Sequence, residues 1–485
     1  MLYGLNMRGF KGLLGAVALA SLLVISQGVF AQGNLSKPKN IIILFADGTA
    51  GTQLEFGRYT SEQLRNKPFA VTDIVMAKGQ FQLMRTESAN AFVTDSAAAA
   101  SAMSTGYKAN NGAISVTPDG ARPKTLMEVA KANGKRIGLI STAPIYDASP
   151  AAFSVHAKNR RDSESIVNQY VDLLPEVLMG GGQDYFLPKA NGGKREDNQN
   201  IVEVFKARGY QFVNTPDQLD TIQSSKILGL FAPADIDFEI DRDPKEMPNL
   251  AQMVSAGLKA LSIKQGIKQK SEAGFVLFAE NENTDSAGHQ NDVAALMRDL
   301  WAFDDAVKVA LEFQKQNPNT LIIVTGDHET GGFSPSYGRK NLSPASTSNY
   351  LNVNLAQLKQ IEGFKISLHE FSERFKAQVK AGASETELDH FLTEVLNENY
   401  PGLELDIELR QKILTQSQLT PNFNYLPSNI LAQAIARQTG FNWGTSGHSS
   451  EPIIVAAIGP GSQIFKGYGD NTDFARKLQQ LMQGK

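Results

Sequence analysis

The chain has 485 residues, of which 42% are hydrophobic and 20% are charged, and its formal net charge is -3. This length can bury a large core, either in one elaborate α/β domain or in two domains. The near-neutral charge excludes an overall basic surface of the kind that binds nucleic acid or an anionic membrane, so we expect a small-molecule partner and no nucleic-acid binding.

The first 31 residues have the features of a signal peptide. Arg8 and Lys11 precede an apolar run over residues 13–25, and Val29-Phe30-Ala31 fits the small-residue rule of a cleavage site. We predict cleavage after Ala31, which makes residues 32–485 an exported mature chain, periplasmic or secreted, with no membrane span. An uncleaved anchor is the alternative, but the apolar run is shorter than the ~20 residues that a spanning helix needs.

The chain contains no cysteine. An exported chain of this kind has no disulfide framework, and any metal must bind carboxylates, imidazoles and hydroxyls. Those ligands favour zinc or magnesium hydrolytic chemistry over iron–sulfur or thiol redox chemistry.

Five short, nearly continuous apolar runs predict buried strands. They cover residues 39–46, 136–142, 274–279, 320–325 and 452–458. Such runs suit strands of a parallel sheet that is covered on both faces, and helix-period segments lie between them, the clearest over residues 293–311. We therefore predict an α/β three-layer sandwich around a large, mostly parallel central sheet.

Acidic and histidine residues stand at the ends of three predicted strands. Asp47 follows the first run, Glu280 follows the third, and Asp327-His328 follow the fourth. Because ligands of open α/β sheets bind beyond the carboxyl ends of the strands, these side chains are expected to meet at one edge of the sheet.

Residues 334–439, here named the helix-rich segment, have a different pattern. The sequence is polar, and we predict helices over residues 355–361, 369–379, 385–396, 403–414 and 429–437. The helix-rich segment separates Asp327-His328 from His448, so we interpret it as an insertion or cap on the main domain.

Two pairs of residues have the spacing of metal ligands. A turn could aim Asp285 and His289 at one ion, although this pair also suits a solvated helix start near Asp292. Asp327-His328 could bind one ion from a tight turn, because Gly331-Gly332 allow the backbone to approach the ion closely. A loop-capping aspartate with a packed histidine is the alternative.

Two further features suit anion chemistry. Ser96 precedes an alanine-rich helix over residues 97–103, and the start of a helix favours an anion or a developing alkoxide. An ordinary serine N-cap is the alternative. Arg160 and Arg161 could form bidentate hydrogen bonds with phosphate oxygens, or they could be solvated surface residues.

Taken together and in chain order, these segments resemble the bacterial alkaline phosphatases. The matching segments are FADG at 45–48, VTDSAA at 93–98 with STG at 104–106, DASPA at 147–151 with Arg160, MGGG at 179–182, Glu280 with Asp285 and His289, TGDHETGG at 325–332, and GH at 447–448 before GPG at 459–461. They span most of the mature chain.

The resemblance implies a metal-dependent phosphomonoester hydrolase that releases inorganic phosphate. Ser96 would be the nucleophile of a phosphoserine intermediate, and Arg160 would clamp two phosphate oxygens. Two Zn²⁺ and one Mg²⁺ would be held in three sets: Asp285, His289 and His448 with the zinc that presents hydroxide, Asp47, Asp327 and His328 with the zinc that activates Ser96, and Asp47, Ser149 and Glu280 with magnesium. Two metal ions can promote such a reaction without a histidine as general base. The three histidines outside the metal sets, His156, His369 and His390, are therefore interpreted as structural or surface residues. The family is commonly homodimeric, which makes a homodimer possible.

The chain departs from the family pattern at two positions. Ser149 stands where threonine is usual, and both residues offer one hydroxyl ligand. Asp147 resembles a family variant that has a lysine directly after the metal-ligand aspartate, yet Ser286 follows Asp285 here. We predict that magnesium is held less tightly, or that phosphate leaves faster, than in the lysine-bearing form.

Two other functions stay open at this point. A phosphodiesterase or a sulfatase-like relative would have the same fold, although the chain lacks the C/S-x-P-x-R context of sulfatases. An exported metal- or phosphate-binding protein without turnover would keep Arg160 and the carboxylates but would not need Ser96.

Overall fold

The computed structural model describes residues 37–263, 273–336, 338–339, 350–351, 353–417 and 420–483. The predicted signal peptide and parts of the helix-rich segment lie outside the described residues. Among the residues that the structure describes, no helix combines the length and the apolar composition needed to span a membrane.

A central sheet of ten strands dominates the fold. The strands of the chain are β1 (Asn40–Ala46), β2 (Gln80–Arg85), β3 (Arg136–Pro144), β4 (Val177–Gly181), β5 (Gln211–Val213), β6 (Ile227–Leu230), β7 (Phe275–Asn281), β8 (Thr320–Thr325), β9 (Glu329–Thr330), β10 (Phe333–Pro335), β11 (Gly338–Arg339), β12 (Tyr350–Leu351), β13 (Phe441–Trp443), β14 (His448–Ser449), β15 (Ile453–Ile458) and β16 (Gly467–Asp470). The large sheet has the order β16, β2, β15, β8, β1, β7, β3, β4, β6, β5. The remaining strands form three two-stranded pairs, β10 with β13, β11 with β12 and β14 with β9.

The sheet is mostly parallel, as predicted, with one exception. Strand β15, which the apolar run 452–458 predicted as a strand of parallel type, pairs antiparallel with both β2 and β8. A second difference concerns Glu280, which lies within β7 and not beyond it. Strand β7 continues to Asn281 because its neighbours on both sides also continue, so that Glu280 pairs in register with Phe45 of β1 and with Ser141 of β3.

Helices cover both faces of the sheet. They are α1 (Gly51–Thr60), α2 (Ser96–Thr105), α3 (Leu126–Ala132), α4 (Ala148–Ala152), α5 (Ser163–Leu173), α6 (Ile201–Ala207), α7 (Pro216–Asp220), α8 (Leu250–Ser262), α9 (Asn283–Gln290), α10 (Val293–Gln316), α11 (Leu355–Glu362), α12 (Leu368–Lys380), α13 (Glu385–Asn399), α14 (Ile407–Leu414), α15 (Ser428–Thr439) and α16 (Asn471–Gln483). Short π-helical segments, Ser61–Arg65 and Val71–Met76, and 3₁₀ turns, Gln183–Phe186, Lys189–Asn191 and Ser462–Ile464, complete the helical elements.

Strand β1 shows why the fold has three layers. Its side chains alternate between two hydrophobic clusters: Ile41 and Ile43 belong to one, with α2, α3 and α16, while Ile42 and Leu44 belong to the other, with α8 and α10. Both faces of the sheet are therefore buried, which explains the continuous apolar runs. The predicted α/β three-layer sandwich is confirmed.

The helix-rich segment forms helices α11 to α15, close to the predicted bounds. The largest difference is α14, which begins at Ile407 and not at residue 403, because Asp406 caps it by accepting a hydrogen bond from the Leu409 amide. These helices share a third hydrophobic cluster with residues of α10 such as Leu296 and Leu300. The helix-rich segment therefore packs beside α9 and α10, next to the carboxyl edge of the sheet.

Candidate active site

Three adjacent strands bring carboxylates to one edge of the sheet. Asp47 directly follows β1, Glu280 is near the end of β7, and Asp327 follows β8 after Gly326. Because β8, β1 and β7 are parallel neighbours, their carboxyl ends meet at the same edge. All three carboxylates are buried.

Ser96 is the first residue of α2, and it is buried at this edge. Asp95, not Ser96, is the N-cap, since its side chain accepts the hydrogen bond from the Ala98 amide at 3.0 Å. The alternative of an ordinary serine cap is therefore wrong. The Ser96 hydroxyl is left to face the cluster, and its Oγ lies 3.1 Å from His328 Nε2.

The two ring nitrogens of His328 have different surroundings. Nε2 lies 3.3 Å from Asp327 Oδ2 and 3.6 Å from Asp47 Oδ1, on the side of Ser96. Nδ1 lies 3.3 Å from the Thr330 hydroxyl. Nε2 is therefore the nitrogen that lies close to the carboxylates of Asp47 and Asp327 and to the Ser96 hydroxyl.

A second group consists of Asp285, His289 and His448. Asp285 Oδ2 lies 3.1 Å from His289 Nε2, and the Nε2 atoms of His289 and His448 are 3.3 Å apart. Helix α9 carries Asp285 and His289 one turn apart, so a helix and not the expected turn aims them at one point. Ligand atoms of this group all lie within 4.8 Å of one another, which is close enough to hold one metal ion.

Ser149, Asp47 and Glu280 form the third predicted set. Ser149 lies in the short helix α4, and its hydroxyl donates to Asp47 Oδ2 at 3.4 Å. Ser141, which the sequence analysis missed, donates to Glu280 Oε2 at 2.5 Å. This set supplies the all-oxygen surroundings that magnesium prefers.

Arg160 is held between two carboxylates beside this cluster. Nη2 donates to both oxygens of Asp147, at 3.1 and 3.2 Å, and Nη1 lies 3.6 Å from Asp95 Oδ2. Asp95 also caps α2, so one carboxylate links the guanidinium to the helix that begins at Ser96. Arg161, the other candidate, is exposed.

The electrostatics of the cluster fit divalent cations. Burial, with repulsion from Asp327 and Asp285, raises the pKa of Asp47 well above its usual range. Burial likewise raises the pKa of Asp327 to about 7 and that of Glu280 to about 8. Two buried carboxylate oxygens, Asp47 Oδ1 and Asp327 Oδ2, have no hydrogen-bond partner among the described residues. Buried carboxylates that repel one another and receive no hydrogen bond are costly unless a cation binds them. Their oxygens are therefore suitable ligands for a metal ion.

The segment between β8 and β10 is held in place by residues that the sequence analysis did not single out. Thr330 donates a short hydrogen bond to Asp285 Oδ1 and also lies beside His328 Nδ1. The buried Glu329 carboxylate accepts hydrogen bonds from Gln53, from Ser449 and from two backbone amides. Both residues lie inside the TGDHETGG motif, so the motif could have signalled them.

The other histidines lie outside the cluster. His156 contacts the Ser115 carbonyl and Glu128, whereas His369 and His390 are exposed. Ser286 donates to Glu282 Oε1 at 2.8 Å, whereas Asp147 accepts from Arg160.

Known proteins resemble the chain over nearly its whole length. The family model described as "Alkaline phosphatase" matches residues 38–483. Alkaline phosphatase 3 of Bacillus subtilis (strain 168) is 30% identical over 93% of this chain and 90% of the relative.

Solved structures of similar proteins have the same fold. A cold-active alkaline phosphatase from the psychrophile Shewanella sp. is 30% identical, with a TM-score of 0.71 over 91% of this chain and 99% of that one. The alkaline phosphatase of Thermus thermophilus is 26% identical, with a TM-score of 0.78 over 93% of each chain. The chain therefore belongs to the alkaline phosphatase family and is a phosphomonoester hydrolase.

Proposed function

We propose that the chain hydrolyses phosphate monoesters through a phosphoserine formed on Ser96. The observation that carries this proposal is the position of the Ser96 hydroxyl, at the start of α2 and 3.1 Å from His328 Nε2. A metal- or phosphate-binding protein without turnover would not need a buried hydroxyl at this point.

Ser96 would attack phosphorus in line with the ester oxygen. The bond between Ser96 Oγ and phosphorus forms, the bond to the leaving oxygen breaks, and the alcohol departs with a proton. Water then cleaves the phosphoserine, which releases inorganic phosphate and restores the Ser96 hydroxyl. The amides at the start of α2 favour the negative charge that develops at both stages.

Arg160 would hold the phosphoryl group during these steps. A guanidinium has five N–H donors, and the hydrogen bonds to Asp147 come only from Nη2. The remaining donors suit two non-bridging phosphate oxygens. The contacts with Asp95 and Asp147 would hold the Arg160 guanidinium in its position beside Ser96 between turnovers.

The residues fit two Zn²⁺ and one Mg²⁺ per chain. We assign the first zinc to Asp285, His289 and His448, the second to Asp47, Asp327 and His328, and magnesium to Asp47, Ser149 and Glu280. When bound, these cations supply positive charge that lowers the pKa of the Ser96 hydroxyl and of a water molecule. His328 Nδ1 and Asp285 are oriented by Thr330, which fixes the ligand atoms they present.

We further propose that residues 32–485 form the mature, exported chain, periplasmic or secreted, and that it is active as a homodimer. The helix-rich segment would act as a cap, since α9, which carries Asp285 and His289, contacts α15 of that segment.

One experiment tests the proposal against its alternatives. The purified chain is incubated with a nitrophenyl phosphate monoester and with the matching diester, the reaction is quenched in acid, and peptides are analysed by mass spectrometry. We expect much faster turnover of the monoester and phosphate on the Ser96 peptide alone. Faster turnover of the diester would favour a phosphodiesterase, and phosphate on another residue would overturn the role of Ser96.

A further inference from the structure

Asn111 lies in a short segment that joins the loop before Ser96 to the segment that carries Arg160. Its side chain makes two hydrogen bonds with the backbone of that loop. Nδ2 donates to the Val93 carbonyl at 3.1 Å, and Oδ1 accepts from the Asp95 amide at 3.2 Å. Because Asp95 directly precedes Ser96 and caps α2, these two hydrogen bonds hold the backbone at the start of the helix.

Gly112, the residue after Asn111, completes the link. The Gly112 amide donates to Asp95 Oδ2 at 2.9 Å, and the Gly112 carbonyl accepts from the Arg160 amide at 2.8 Å. Gly112 has a φ of +84°, a left-handed conformation that glycine adopts without strain, which suits the turn between these two contacts. Two consecutive residues, Asn111 and Gly112, therefore connect the loop before the nucleophile with the phosphate-binding arginine.

The segment that carries Arg160 is fixed through its backbone. Ile114 and Ala157 exchange two backbone hydrogen bonds, of 2.9 and 3.0 Å, in an isolated antiparallel bridge. By contrast, Arg160 Nη1 and Asp95 Oδ2 are 3.6 Å apart, which is longer than an N–H···O hydrogen bond. The distance between the guanidinium and the start of α2 is thus set mainly by the backbone that Asn111 and Gly112 hold.

The Asn111 side chain is exposed, although its backbone amide also donates to Asn90 Oδ1 at 2.9 Å. Replacing an exposed side chain usually costs little stability, so a variant removes the two loop hydrogen bonds selectively. The loop has a second anchor, because the Thr94 carbonyl accepts from His448 Nδ1 at 2.8 Å. Removing the Asn111 side chain should therefore shift the loop without unfolding it.

We propose that Asn111 is a positioning residue, which sets the distance between Ser96 and Arg160 and thereby the affinity of the site for a phosphoryl group. A phosphoryl group that contacts the start of α2 and the guanidinium together binds tightly only if both are held at a matching separation beforehand. The inference rests on the proposed function, since it needs Arg160 to bind phosphate. Asn111 lies outside every segment that resembles the family, so the motifs do not signal it.

A double-mutant cycle tests this role. Asn111→Ala, Arg160→Ala and the double variant are compared with the wild type, each loaded with zinc and magnesium, and the dissociation constant of inorganic phosphate is measured by calorimetry. Asn200→Ala is the matched control, because Asn200 also accepts a hydrogen bond from a backbone amide, that of Glu203 at 3.2 Å, but at the start of α6. Zinc content is measured for every protein.

We expect Asn111→Ala to raise the dissociation constant of phosphate by about three- to tenfold, because two hydrogen bonds that hold the loop are lost. In the Arg160→Ala background the same change should have almost no effect, since the separation matters only while the guanidinium is present. Asn200→Ala should bind phosphate as the wild type does, and every variant should keep its zinc.

An equal rise of the dissociation constant in both backgrounds, or a loss of zinc in Asn111→Ala, would show that Asn111 does not act through Arg160 and would overturn the inference. An unchanged phosphate affinity of Asn111→Ala would also overturn it. Failure of the proposed function would look different, because Arg160→Ala itself would then bind phosphate as tightly as the wild type.

Discussion

Ser96 Oγ and His328 Nε2 lie 3.1 Å apart, although 232 residues separate them in the chain. This contact joins the start of α2 to the loop after β8, and it places a hydroxyl beside two buried carboxylates, Asp47 and Asp327. The account of catalysis depends on this contact. Its consequences can be measured at several of the residues that surround it.

Replacing Thr330 should weaken zinc binding without removing a ligand. The Thr330 hydroxyl contacts Asp285 and lies 3.3 Å from His328 Nδ1, so it orients ligands of both groups. We expect Thr330→Val to lower zinc affinity by about 10- to 100-fold, as competition with a chelator would measure. Thr330→Ser keeps the hydroxyl and should bind zinc nearly as the wild type does; equal affinity of the valine and serine variants would contradict this role.

Introducing a lysine at position 286 should strengthen the binding of magnesium or of phosphate. Ser286 donates to Glu282, whose Oε2 is buried with no partner among the described residues. An ammonium group there would add the positive charge that the lysine-bearing family variant has. We expect Ser286→Lys to bind magnesium more tightly or to lower the Ki of phosphate by about three- to tenfold.

Ser286→Gln serves as the neutral control for the lysine variant, because it lengthens the side chain without adding charge. If the lysine variant matched the wild type in both magnesium affinity and phosphate release, the interpretation of Ser286 would be refuted.

Removing the metals should destabilise the fold. Asp47, Asp327 and Glu280 are buried and repel one another, and bound cations would compensate that repulsion. We expect a chelator to lower the melting temperature by several degrees, and zinc with magnesium to restore it. Metal analysis must first show that the chelator has removed all metal. If the melting temperature is then unchanged, the result would argue against a metal cluster in the core of the site.

The contact between His156 and Glu128 should make stability depend on pH. Both ring nitrogens of His156 meet acceptors, the Ser115 carbonyl at 2.8 Å and Glu128 Oε2 at 3.1 Å, which favours the protonated ring. Burial lowers the pKa of His156, but the hydrogen bonds to Glu128 and Ser115 outweigh it, and the net shift is upward from 6.5. The stabilisation is therefore complete below about pH 6.5 and is lost as the pH rises through the folded pKa.

Glu128→Gln isolates this charge effect. Glutamine can still complete the capping box with Thr125 at the start of α3, so helix capping is kept. The melting temperature of the variant should fall below that of the wild type more at pH 6 than at pH 9. A difference of the same size at both pH values would show that the charge of His156 contributes nothing.

The sequence predicts the centre of the sheet better than its edges. Strands β1, β3, β7 and β8 each contain a run of apolar residues, because both faces of the sheet are buried there, and these runs are easy to recognise. The predictions missed the strands on either side of this centre, which are β16 and β2 toward one edge of the sheet and β4, β6 and β5 toward the other. Strand β5 has three residues and β16 contains glycines and exposed positions, so neither has a clear hydrophobic period.

The site was predictable where its residues stand in motifs, and not where distant segments meet. Ser96, Asp327 and His328 are recognisable from their neighbours in the chain. Tyr425 stacks on His289 only because the helix-rich segment folds back onto α9, and no local pattern signals that contact. The separate roles of the two His328 nitrogens likewise follow from three-dimensional contacts alone.

Turnover by Ser96→Ala tests the central claim most directly. Hydrolysis of a nitrophenyl monoester should fall by about a thousandfold or more, because the nucleophile is lost. Zinc content and the binding of inorganic phosphate should persist, since Asp47, His328 and Arg160 remain. An Ser96→Ala protein that binds zinc and still hydrolyses the monoester at close to the wild-type rate would contradict the account.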